Sequence, residues 1–109
     1  IVMCGPAPLI VPYIDPGIPL AREIGRRIDA YLETYSERPR VILMQNHGLV
    51  ALGHSAEQVE NITAMMVKTA RVLLGTFGAG GPSFLTAENV GRIHTRPDEA
   101  YRRKLLGEA

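Results

Sequence analysis

Two apolar runs of strand length, Val41–Met44 and 49–52, meet across Gln45-Asn46-His47-Gly48, and no other stretch constrains the fold as tightly. Val-Ile-Leu-Met is continuously apolar rather than alternating, which suits a strand covered on both faces. Asn and Gly tolerate positive φ in a tight turn, so the simplest reading is a buried antiparallel hairpin with His47 at its tip. A chain of 109 residues supplies few further strands to satisfy the edges of such a hairpin. Missing strands, or another subunit, are expected to complete the sheet.

The flanking segments read as helices packed on that sheet. Asp15-Pro16-Gly17 is a turn sequence, and Pro19 suits the first turn of a helix. Leu20, Ile24, Ile28, Tyr31, Leu32 and Tyr35 then share one face, with Arg22, Glu23, Arg26, Arg27, Asp29 and Glu33 mostly on the other. Pro39 closes this unit. Ser55-Ala-Glu-Gln58 has the pattern of a capping box, and Val59, Ile62, Met66 and Leu73 continue an apolar face beyond it. Gly75, Gly78, Gly80, Gly81 and Pro82 form a break. Thr86 is expected to cap a short Ala-Glu-Asn-Val turn, and Pro97 to start a basic amphipathic helix reaching Leu106. Residues 1–4 and Leu9–Val11 are short apolar pieces consistent with a buried strand leading into an irregular loop. The sum is a mixed α/β layering, with helices on a sheet.

Composition narrows the partners. Lys plus Arg number 12 against 11 Asp plus Glu, so no general field draws the chain to nucleic acid or to an anionic membrane. The single Cys4 excludes an intrachain disulfide and a cysteine-built zinc or iron-sulfur site, and fits a reducing, cytoplasmic compartment. The apolar N-terminal stretch is broken by Gly5, Pro6, Pro8 and Pro12 and lacks a basic region, so it reads neither as a signal peptide nor as a membrane span. The sequence opens within an apolar run at Ile1, and the chain is expected to be part of a longer protein.

His47 is the residue on which chemistry can turn. Read from the residues alone, it is either a structural histidine bonding the backbone of a tight turn or a metal or acid-base group presented on a rigid hairpin. His54 and His94 share no short metal-binding spacing with it and are assigned exposed or capping roles. Tyr13 and Asp15 lie in a loop that could border a pocket, although Asp-Pro-Gly is foremost a turn. Cys4, Met44, Met65 and Met66 read as core filler. Gly78 to Gly81 lacks the Lys-Ser or Lys-Thr ending of a phosphate loop, and Arg102, Arg103 and Lys104 read as a solvated helix face.

The segment VILMQNHGLVALG, followed by a capped helix bearing Glu57, Glu60 and Asn61, resembles the histidine-glycine segment of class II aldolase/adducin proteins. VPYIDPGIPLAREI is similar to the turn and helix that precede it in that family, so the resemblance runs from Val11 to Leu74 in matching order. FLTAENV and RPDEAYRRKLL resemble the end of some bacterial sugar-related members. The resemblance implies a three-layer αβα domain with a largely antiparallel central sheet. Residues 1–109 would form its C-terminal portion, with a core over 1–83 and a terminal helical segment over 84–109.

The resemblance also implies that His47 ligates Zn2+ or another divalent metal, with Gln45 or Asn46 close enough in sequence to hold its second nitrogen. The family's other metal histidines form a His-x-His pair upstream, and its catalytic carboxylate lies in that earlier half. No position here matches either, so no catalytic residue is assigned. Catalytic zinc takes three protein ligands and an open position, so His47 alone is an incomplete site. The implied chemistry is Lewis-acid stabilisation of the enediolate formed as a carbon-carbon bond breaks.

The expected function is a metal-dependent aldolase-type lyase acting on a sugar phosphate or related sugar derivative. The alternatives are a sugar-phosphate epimerase or dehydratase of the same family, or a non-catalytic adducin-like interaction module. A homo-oligomer is expected, with a homotetramer implied by the resemblance. The substrate and the choice among lyase, epimerase and dehydratase stay open.

Overall fold

The computed structural model describes residues 1–105. Within them the chain runs β1 (Leu9–Val11), α1 (Ile18–Tyr35), β2 (Val41–Met44), β3 (Gly48–Ala51), α2 (Ala56–Gly78), α3 (Ala87–His94) and α4 (Pro97–Leu105). The three strands form one sheet in the order β1-β2-β3, so β2 is central. β2 pairs antiparallel with β3, Val41 opposite Ala51 and Met44 opposite Gly48. It pairs parallel with β1, Leu9 opposite Ile42 and Val11 opposite Met44. Two parallel neighbours need a long crossover, and α1 fills that role. The described sheet is therefore mixed.

Side chains alternate across a sheet, so Leu9, Val11, Ile42, Met44 and Val50 share one face. α1 covers it: Leu20 and Tyr31 are buried in one cluster with Leu9, Val11 and Ile42, and Ile24 and Ile28 pack against them. Tyr31 also donates its hydroxyl hydrogen to the Ala7 carbonyl at 2.8 Å, fixing α1 to the segment that enters β1. Gly17, at φ 116°, admits the chain to α1, and the Ser36 N–H closes the helix on the Leu32 carbonyl at 2.9 Å.

The second face is covered in part, by α2. α2 packs on β3, and Val41 and Ile62 are fully buried. Ile10 is 53% exposed and Leu49 36% exposed, so the remainder of that face is open.

Three segments differ from the sequence expectation. Residues 1–4 turn instead of forming a strand. Gly5 sits at φ 78°, and the Val2 and Met3 carbonyls are taken by the Arg40 guanidinium at 3.2 and 3.1 Å rather than by a ladder. α2 runs through Gly75 to Gly78, because an interior glycine costs a helix only about 1 kcal/mol. Its stop falls where Gly80 and Gly81 take φ 101° and 98°. The short turn after Thr86 is an eight-residue helix, α3, with the Thr86 hydroxyl accepting from the Asn89 N–H at 3.2 Å. The expected last helix is α4 as far as Leu105, and Leu106 and residues 107–109 lie outside the described residues. Among the described residues no helix is long and apolar enough to cross a membrane.

Candidate functional site

β2 passes to β3 through Gln45, Asn46 and His47. The His47 N–H donates to the Met44 carbonyl at 3.1 Å, closing a four-residue turn. Asn46, third in that turn, takes φ 56°, the sign a type II turn requires there, and asparagine tolerates it without a glycine. Gly48 follows at φ 153°, where a side chain would be strained. His47 is thus held between two backbone positions of unusual conformation, with its side chain exposed.

Gln45 ties this tip to the loop that leaves β1. Its N–H donates to the Val11 carbonyl at 2.9 Å, extending the parallel pairing by one rung. Its Oε1 accepts from the Tyr13 N–H at 3.2 Å, and the Tyr13 hydroxyl donates to Asp15 Oδ1 at 2.9 Å. Gln45 is therefore committed to Tyr13 and does not hold the His47 ring. Because β1 and β2 are parallel, the 13–15 loop and the His47 turn both leave carboxyl ends at the same edge of the sheet. That edge is where open α/β sheets gather their ligands.

The His47 imidazole makes no hydrogen bond to the protein among the described residues, so both ring nitrogens are available to an external group. An exposed, positioned, unpartnered imidazole suits a metal ligand. Among the described residues, no three His, Cys, Asp or Glu side chains stand close enough to hold an ion together. His47 could supply one ligand to a metal, and the described residues do not add a complete set around it.

The other residues singled out from the sequence fall away from this edge. His54 lies at the open end of the hairpin, exposed, its N–H donating to Gln58 Oε1 at 2.5 Å. This modifies the expected capping box. The Ser55 hydroxyl accepts from the Gln58 N–H at 3.1 Å, but the returning Gln58 side chain reaches one residue further back than the box requires. A Cβ on Gly53 would come within 2.9 Å of that Gln58 oxygen, so a side chain there would displace the Gln58 amide. A cleft of about 450 Å³ lined by Glu37, Arg40, Leu52, His54 and Gln58 opens at this end, away from His47.

His94 is not an exposed or capping residue. It is largely buried, its Nε2 meets Glu37 Oε1, and its Nδ1 is buried without a partner. This pairing spans two segments that sequence spacing does not relate. Arg103 is likewise only partly solvated, donating to the His94 carbonyl at 3.2 Å. Cys4 is half-buried, its Sγ 3.7 Å from the Ile62 carbonyl, and burial pushes its thiol pKa up, as suits an unreactive cysteine.

A three-stranded mixed sheet with helices packed on it, and the His47 turn at its carboxyl edge, defines an α/β domain. Residues 3–74, which contain β1, α1, β2, the His47 turn, β3 and most of α2, match the family model described as the class II aldolase and adducin N-terminal domain. The chain belongs to the class II aldolase/adducin family. No curated protein and no solved structure matched it.

Proposed function

We propose that the chain carries part of the active site of a metal-dependent aldolase-type lyase acting on a sugar phosphate or related sugar derivative. The observation behind this reading is that the family's segment presents His47 exposed, backbone-fixed and unpartnered at the carboxyl edge of the sheet. His47 would hold Zn2+ or another divalent metal through a neutral ring nitrogen. When bound, that metal supplies Lewis acidity for oxygen atoms that gain negative charge as a carbon-carbon bond breaks. The chain's own part is placement: Asn46 and Gly48 orient the turn, and Gln45 and Tyr13 keep it from swinging away from β1. Because one histidine is an incomplete site, the proposal includes ligands from another segment or another subunit, in a homo-oligomer such as a homotetramer in the cytoplasm.

Zinc titration of the full chain, followed through the imidazole ¹⁵N resonances, tests this reading. Selective shifts of the His47 nitrogens, with His54 and His94 unmoved, are the expected result. Shifts led by His54 or His94, or none at His47 with zinc in excess, would overturn it.

A further inference from the structure

A cleft of about 340 Å³ lies between α3 and the end of α1. Pro6 and Glu37 precede β1 and β2, so it opens at the amino edge of the sheet, away from His47. One wall, Pro6, Tyr35 and Glu37, falls within the residues that match the family model, and the other, Ala87, Val90 and His94, lies beyond them. The cleft is thus made where the family domain meets the segment that follows it, and junctions of this kind are favoured positions for small ligands. Pro6, Ala87, Val90 and the Tyr35 ring give it an apolar lining. Tyr35 is 41% exposed, and its ring centroid stands 4.4 Å from that of the buried Tyr31.

His94 adds an unmet polar group to this lining. Its Nε2 meets Glu37 Oε1, and a carboxylate accepts only, so Nε2 carries the hydrogen of the neutral ring and Nδ1 is an acceptor. Nδ1 is buried and takes no hydrogen from any described residue. The two threonine hydroxyls beside the cleft are already spent, Thr34 donating to the Ala30 carbonyl at 2.9 Å and Thr95 to the Gly91 carbonyl at 3.0 Å. A buried acceptor left unpaired is costly, and a donor entering the cleft that His94 lines relieves that cost.

We propose that this cleft binds a small neutral molecule with an aromatic body and one hydroxyl, a phenol in chemical class, whose hydroxyl donates to His94 Nδ1 while its ring lies between Tyr35 and Val90. The aromatic body suits Tyr35, since rings pack well edge to face or offset. Neutrality suits the carboxylate of the cleft, because Glu37 is already engaged by His94 and lies 3.8 Å from Arg40 Nη2. A ligand touching both walls fastens α3 to α1.

The test is titration of the full chain with phenol, followed through the imidazole ¹⁵N resonances. A saturable shift of His94 Nδ1, with the His47 and His54 rings unmoved, is the expected result. Anisole carries a methyl group in place of the hydroxyl hydrogen, so it should leave Nδ1 unshifted and bind about tenfold more weakly. Val90→Trp, which fills the cleft with an indole, should abolish phenol binding while the circular dichroism spectrum is kept. No saturable shift at His94 Nδ1, anisole bound as tightly as phenol, or phenol binding that survives Val90→Trp would overturn the proposal.

Discussion

Tyr31→Phe tests how α1 is held against the sheet edge that carries the site. Tyr31 is 5% exposed and donates to the Ala7 carbonyl at 2.8 Å. Burial, with help from the nearby Glu37 carboxylate, pushes its pKa from 10.0 up to about 12. Below about pH 10, where unfolded tyrosine also keeps its proton, the variant lacks only the hydrogen bond and should be less stable by about 1 kcal/mol. Between about pH 10 and about pH 12 the unfolded wild type releases a proton that the folded protein retains. Wild-type stability then falls by about 1.4 kcal/mol per pH unit, while the variant, having no hydroxyl there, is spared that loss. Tyr13, Tyr35 and Tyr101 are common to both chains, so the comparison isolates the Tyr31 hydroxyl. At about pH 11 the wild type has lost about 1.4 kcal/mol, so the order of stabilities should cross. Urea unfolding followed by circular dichroism at pH 7 and pH 11 measures both differences. A variant weaker by the same margin at both values would refute the buried, hydrogen-bonded phenol.

Other substitutions probe neighbouring parts of the account. Gly48→Ala forces a side chain onto a backbone at φ 153° and should lower stability by about 1–3 kcal/mol in thermal unfolding, whereas Asn46→Gly should be close to neutral. Ser55→Ala removes the oxygen that accepts from the Gln58 N–H at 3.1 Å and should cost about 1 kcal/mol in urea unfolding. Ile62→Ala opens a void at a position with 0% exposure and should cost about 2–5 kcal/mol by the same measurement, the largest of this set.

Where sequence and structure agree, the signals are local. The apolar face of α1, the hairpin built on Val41–Met44 and the Ser55 and Thr86 caps follow from periodicity, turn residues and capping oxygens acting within a few residues. Family resemblance, not spacing, singled out His47 as a metal ligand. The pairing of His94 with Glu37 and the capture of the Val2 and Met3 carbonyls by Arg40 join residues far apart in the chain, and no short pattern encodes them. Residues 1–4 illustrate the consequence: their composition suits a strand, but a distant guanidinium takes the carbonyls a ladder would use. Gln45 is near His47 in sequence, yet its side chain serves Tyr13, because β1 and β2 run parallel and bring their exits together. Met65 shows the reverse limit, since an apolar residue in an amphipathic helix reads as core until the fold leaves it outside.

The central claim is that His47 is a ligand in a metal site completed from outside the described residues. Elemental analysis of purified, dialysed protein, wild type beside His47→Ala, tests it most directly. The account predicts a divalent metal, zinc foremost, at close to one equivalent per site in the wild type and lost in the variant. Equal metal content in the two proteins, or no metal in either after zinc has been supplied before dialysis, would contradict it.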